Sequence, residues 1–129
     1  MHKPYMVLAA VFGGLAVALG AFGAHGLEKI TGDPAILVSF RTGVQYQMYH
    51  ALALLATGIM APHFTNRWIR WAGTCFITGI ILFSGSLYLL TFIKIQESGG
   101  AQVAGPMTPL GGMFFIAGWL FLLVAVLKK

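Results

Sequence analysis

Residues 5–26 read YMVLAAVFGGLAVALGAFGAHG, an apolar run without Asp, Glu, Lys or Arg. At ~1.5 Å per residue, a helix over this run is about 33 Å long, enough to cross a hydrocarbon core of ~30 Å. A secretory signal is the competing reading, because Lys3 precedes the run and Ala21 and Ala24 could serve as small cleavage-site residues. The apolar part of such a signal is usually only ~7–15 residues, so the run is read as a retained helix.

Working outward, the run breaks at Leu27–Pro34, and Asp33-Pro34 supplies a capping carboxylate followed by a proline suited to a first helical turn. A second helix is expected over 34–61, its membrane-buried part over Gly43–Ala61. Pro62–Arg67 reads as a turn and 68–93 as a third helix. Lys94–Pro106 reads as a loop, with Gly99-Gly100 as breakers. Thr108-Pro109 repeats the cap-plus-proline signal, and a fourth helix is expected over 109–127. The expectation is an all-α membrane protein, one domain over 1–129, folded as an up-down bundle of four transmembrane helices.

Composition agrees with a bilayer as solvent. Charged residues make up 9% of the chain and hydrophobic ones 58%, whereas soluble domains carry roughly 25% charged residues. The net charge of +5 is not a nucleic-acid footprint, since the cations sit singly or in pairs beside apolar runs. Cys75 is the only cysteine, so neither an intrachain disulfide nor a CxxC metal pair can form. With both termini cytoplasmic, the inside carries Lys3, Arg67, Arg70, Lys128 and Lys129. The outside then carries Lys29, Arg41 and Lys94 with Glu28, Asp33 and Glu97. The Lys/Arg bias favours that orientation, and Trp68 and Trp71 suit the cytoplasmic interface.

The polar residues gather toward the outer helix ends. In the first helix Ala10, Gly14, Ala18, Ala21 and His25 share a face, a small-residue stripe that reads as a tight helix contact. The second helix is the least lipid-like. Thr42, Tyr46, His50 and Thr57 share one face of it, and Arg41, Gln45 and Met48 another. Unsatisfied polar groups cost several kcal/mol in hydrocarbon, so its outer half must face protein or a water-filled cavity. Ser84, Tyr88 and Thr91 line one side of the third helix, and Thr108 opens the fourth. The candidate polar cluster is therefore His25, Arg41, Gln45, Tyr46, His50, Ser84, Tyr88 and Thr108. Either it encloses a functional cavity or it is a hydrogen-bonded network that fixes packing.

Four motifs occur in order: GAFGAHG over 20–26, TGVQYQMYHAL over 42–52, FSGSLY over 83–88 and TPLGG over 108–112. In these the chain resembles the YgdD/YwdK-type family of small bacterial membrane proteins, a domain of unknown function with a related eukaryotic branch. The resemblance implies four transmembrane helices in the bacterial cell membrane, the inner membrane in a Gram-negative cell. It implies no catalytic or ligand residue.

The reading leans away from an enzyme, because Ser84 and Ser86 have no acidic partner nearby in sequence and no phosphate-binding glycine loop occurs. A packing or accessory protein without catalysis is the first reading, its partners the bilayer and a second copy or another membrane protein. A transporter or channel subunit with a polar pocket in the outer leaflet, using Arg41 as an anion contact, is the alternative; the spans hold no carboxylate for a cation relay. A metal or haem enzyme liganded by His25 and His50 is the second alternative. No cofactor, no metal site and no nucleic-acid partner is expected.

Overall fold

The computed structural model describes residues 2–96 and 101–128, and among them there is no strand. Helix α1 spans Lys3–Ala21, with Pro4 in its first turn and the His2 imidazole accepting from the Tyr5 N–H. It does not stop at Ala21. A π-helical turn, Phe22–Gly26, and a 3-10 turn, Leu27–Lys29, carry the same rod onward. Helix α2 spans Pro34–Met60, and the Asp33 carboxylate caps it by accepting from the Ala35 N–H at 2.9 Å. Helix α3, Arg67–Gly79, is capped by the Asn66 side-chain oxygen, which accepts from the Trp68 N–H at 3.1 Å. A π-helical turn at Ile80–Ser84 joins α3 to α4, Gly85–Gln96, so Arg67–Gln96 is one rod. Helix α5 spans Ala101–Leu127.

The loop read over Lys94–Pro106 is largely helical. Lys94–Gln96 ends α4, and α5 begins at Ala101 rather than at Pro109, with Pro106 and Pro109 both inside it. Each proline removes one backbone donor and presses on the carbonyl four residues before it, which bends a helix without ending it when flanking packing holds. Glu97 and Gly99-Gly100 lie outside the described residues.

Three segments among the described residues are long and apolar enough to cross a membrane: Lys3–Lys29, Arg67–Gln96 and Gly105–Leu127. Helix α2, 27 residues long, is long enough at about 40 Å, but Gln45, Gln47 and His50 make it too polar for that criterion.

Packing explains how α2 carries this polarity. The rods run alternately up and down: the His2 N–H bonds the Gly58 carbonyl and Asn66 reaches the Ala125 carbonyl at one end, while Ser86 meets Thr108 toward the other. Helix α2 lies between α1 and the α3–α4 rod, and α5 packs along that rod. Its buried residues include Ile36, Phe40, Gly43, Gln47, His50, Leu54 and Thr57. They alternate steps of four and three, the seam spacing of helices that stay in contact over many turns. A core of Tyr5, Ala9, Ala53, Leu54, Ala72 and Phe76 fills the half near the termini. Across α3 and α5, Phe76 lies over Gly118 and Phe115 over Gly79, a reciprocal pair of rings seated on bare backbone.

The small-residue stripe on α1 does not face the bundle. Ala10, Gly14, Ala18, Ala21 and His25 are all exposed, and α1 buries Tyr5, Ala9 and Ala16 instead. Small residues permit close approach but do not say which neighbour approaches.

Candidate functional site: the polar seam of α2

The seam begins with Gln47, which is 3% exposed. Its amide nitrogen donates to the Phe12 carbonyl of α1 at 2.7 Å, and its amide oxygen accepts from the Tyr88 hydroxyl of α4 at 2.7 Å. One side chain therefore ties three helices. A carbonyl has two lone pairs, so Phe12 can accept from Gln47 as well as within its own helix. One turn farther from the termini, Ser84 donates to the Gly43 carbonyl at 2.7 Å. The π-helical turn ending at Ser84 sets this contact, and Gly43 leaves room for Leu87 and Tyr88 beside it.

His50 closes the inner side. Its Nε2 lies 3.1 Å from the Trp119 indole nitrogen and its Nδ1 2.8 Å from the Tyr46 carbonyl. An indole N–H only donates and a carbonyl only accepts. The network therefore assigns a neutral ring, with the proton on Nδ1 given to Tyr46 and a bare Nε2 accepting from Trp119. The ring stacks on Phe115 at 3.6 Å between centroids and 9° between planes. Both nitrogens are engaged, and the arrangement joins α2 to α5.

The remaining buried hydroxyls bond carbonyls of their own helices, and Ser86 also reaches α5. Thr57 donates to the Ala53 carbonyl and Thr91 to the Leu87 carbonyl, and Ser86 bonds both the Phe83 carbonyl and Thr108. Among the described residues, no buried side-chain nitrogen or oxygen lacks a partner. The buried polar residues are Gln47, His50, Thr57, Ser84, Ser86 and Thr91, none of them a carboxylate, Lys or Arg.

The candidate cluster thus divides. His50, Ser84 and Tyr88 join the seam, Tyr46 contributes its carbonyl, and Thr108 bonds Ser86. The Tyr46 ring is 39% exposed and stacks on Phe83 at 4.8 Å. His25, Arg41 and Gln45 are exposed and stand outside the seam. Arg41 borders a crevice of about 40 Å³ with Gly20, Gly23 and Val44. A larger groove of about 350 Å³ at the end away from the termini is lined mainly by Phe22, Leu27, Phe40, Phe92 and Ile95. His25 and His50 do not meet: Gly23 faces Phe40, which puts them about 18 Å apart along the bundle. Of the face that Thr42, Tyr46, His50 and Thr57 share on α2, His50 and Thr57 are buried, whereas Thr42 and Tyr46 fall at the edge of the buried face and Gly43 and Gln47 take its centre. Trp119 is the participant that residue type alone passed over. The alternation of four- and three-residue steps through Ile36, Phe40, Gly43 and His50 points to Gln47.

The family model described as "Protein of unknown function (DUF423)" matches residues 19–112, a stretch that holds most of this seam. The chain belongs to this family. Among its relatives, the UPF0382 membrane protein YwdK of Bacillus subtilis is 43% identical over 98% of this chain and 98% of its own length. A UPF0382 membrane protein of Staphylococcus aureus is 42% identical over 98% of this chain and 97% of its own. A UPF0382 membrane protein of Schizosaccharomyces pombe is 41% identical over 91% and 96%. No solved structure matches the chain. These names make the DUF423 chain a relative of membrane proteins, in agreement with its three long apolar helical segments.

Proposed function

We propose that this chain crosses the bacterial cell membrane four times, with both termini in the cytoplasm, and acts as a packing or accessory protein without catalysis. The carrying observation is the saturation of the α2 seam. Gln47, His50, Ser84 and Tyr88 direct their hydrogen bonds at neighbouring helices or at α2 itself. In lipid such bonds hold helices together, and a helix as polar as α2 can span only when flanked by others. The end bearing both termini holds Lys3, Arg67, Arg70 and Lys128, while Glu28 and Asp33 lie at the other; the Lys/Arg excess supports a cytoplasmic placement. The outward stripe of Ala10, Gly14, Ala18 and Ala21 supports an accessory role, because it offers a second helix a close approach. Reconstitution into liposomes tests the reading. The expected result is solute flux equal to that of empty liposomes, with a lowered melting temperature for Gln47→Leu. A flux that appears with the protein and falls with Arg41→Ala would overturn it in favour of transport.

A further inference from the structure

The end of the bundle that carries the termini holds a group of cations without carboxylate partners among the described residues. The Arg67 guanidinium lies 5.1 Å from the Trp68 ring and 5.3 Å from the Trp71 ring, and the Lys128 ammonium lies 5.6 Å from Trp68. Two cations thus share one indole. The acids Glu28 and Asp33 sit at the far end of α1, which with its π and 3-10 extensions covers Lys3–Lys29, about 40 Å away. Among the described residues no carboxylate pairs with Arg67, Arg70 or Lys128. Contacts with ring faces are weak at exposed sites and do not neutralise the charge, so this corner stays cationic and attracts anions.

Directly beneath it lies a lateral groove between α3 and α5. Its walls are Cys75, Leu110, Met113, Phe114, Ala117 and Phe121, and its volume is about 360 Å³. Phe121 connects the two features, with its ring 5.8 Å from Trp68 and 5.4 Å from Trp71. From Phe121 to Leu110 the groove descends about 16 Å along α5, close to the ~15 Å of one leaflet's hydrocarbon. A charged corner at headgroup level, an indole pair beside it and an apolar channel one leaflet deep match the parts of a single lipid.

We infer that the α3/α5 seam is a binding site for an anionic phospholipid, its phosphate held by Arg67 and Lys128 beside Trp68 and its acyl chain in the groove from Phe121 to Leu110. The absence of a carboxylate among the described residues at this corner selects against lipids whose headgroup ends in an ammonium, since the like charge would meet Arg67, Arg70 and Lys128. Basic pockets beside transmembrane helices recognise acidic headgroups in this way. The site lies at the end bearing the termini, so it holds whichever leaflet that end occupies, and it stands independently of the accessory reading above.

The test uses the full chain in detergent, incubated with equal amounts of phosphatidylglycerol and phosphatidylcholine of the same acyl length, with retained lipid read by native mass spectrometry. Phosphatidylglycerol is expected to be retained several-fold over phosphatidylcholine. Arg67→Gln and Lys128→Gln should each cut that ratio by about five-fold, the size of one interfacial cation's contribution, while Lys29→Gln and Lys94→Gln leave it unchanged. Ala117→Phe, which fills the groove, should lower retention of both lipids without changing their ratio. Soluble glycerol phosphate should not displace the lipid. Equal retention of the two lipids overturns the proposal, as does a ratio that ignores Arg67→Gln and Lys128→Gln. Full displacement by glycerol phosphate also overturns it, because the acyl groove would then contribute nothing.

Discussion

Replacing Gln47 by Leu removes both hydrogen bonds that centre on it, one to the Phe12 carbonyl and one from the Tyr88 hydroxyl. Side-chain bonds between membrane helices average ~0.6 kcal/mol and reach ~1.7, so the pair contributes about 1–3 kcal/mol. The Tyr88 hydroxyl then loses the acceptor it has among the described residues, and an unsatisfied polar group away from water costs ~1–3 kcal/mol more. The Phe12 carbonyl keeps its place in α1 and adds little. Gln47→Leu should therefore destabilise by about 2–6 kcal/mol. Tyr88→Phe leaves the Gln47 amide oxygen without a donor and should cost about 1–3 kcal/mol. In the Gln47→Leu background the same Tyr88→Phe change removes the orphaned hydroxyl, so it should cost nothing or restore stability. The assay is a double-mutant cycle on purified protein in micelles, unfolded by heat or by titration with a denaturing detergent and followed by far-ultraviolet circular dichroism. A Tyr88→Phe cost that is equal in both backgrounds would refute the hub, because independent sites add and coupled ones do not.

Gly111→Ala should abolish the folded state or cost about 3 kcal/mol, since its Cβ would strike the Phe83 backbone and backbone yields less readily than a side chain; Gly14→Ala, with nothing within 4 Å, should be neutral or stabilising by up to ~1 kcal/mol from helix propensity. Thermal unfolding of the two variants side by side checks both signs. Nitrogen NMR of the imidazole should find His50 protonated on Nδ1 with a bare Nε2, and Trp119→Phe should cost about 1–3 kcal/mol by leaving that nitrogen without its donor; a proton found on Nε2 would contradict the assignment. Tyr5→Phe should cost about 0.5–1.5 kcal/mol, as its hydroxyl donates to the Arg70 carbonyl at 2.7 Å and also meets Thr74, and melting curves would register the loss.

Helical class was legible because apolar runs of membrane length admit few other structures. Burial of part of the α2 polarity was legible too, since a helix carrying Gln45, Gln47 and His50 cannot turn all of them to lipid; Gln47 and His50 are buried, while Gln45 stays exposed. The rotation of that helix was harder to read. Reading the seam from Thr42 and Tyr46 places it one step off, because hydroxyl and phenol groups can sit at an edge and still bond, whereas Gln47 cannot. Polarity alone also fails to separate seam from rim: Arg41 and Gln45 lie near the outer end of α2, where long side chains reach the interface. The α1 stripe signals closeness without naming a neighbour, and the neighbour within the chain chose the Ala9–Ala16 face instead. The π-helical turns at Phe22–Gly26 and Ile80–Ser84 have no sequence signature here; the second aligns Ser84 with Gly43, a tertiary demand. Pro106 reads as the end of a loop and Pro109 as a helix start because proline suits a first turn, yet α5 absorbs both.

The central claim is that α2 crosses the membrane enclosed by its neighbours, and sided cysteine labelling tests it most directly. In a Cys75→Ser background, single cysteines are placed at Gly32, just before α2, and at His63, just after it; both positions are exposed. An impermeant maleimide added to intact cells should label the Gly32→Cys protein, and label the His63→Cys protein only after the membrane is opened. Labelling of both positions from the same side would contradict the account, because α2 would then not cross.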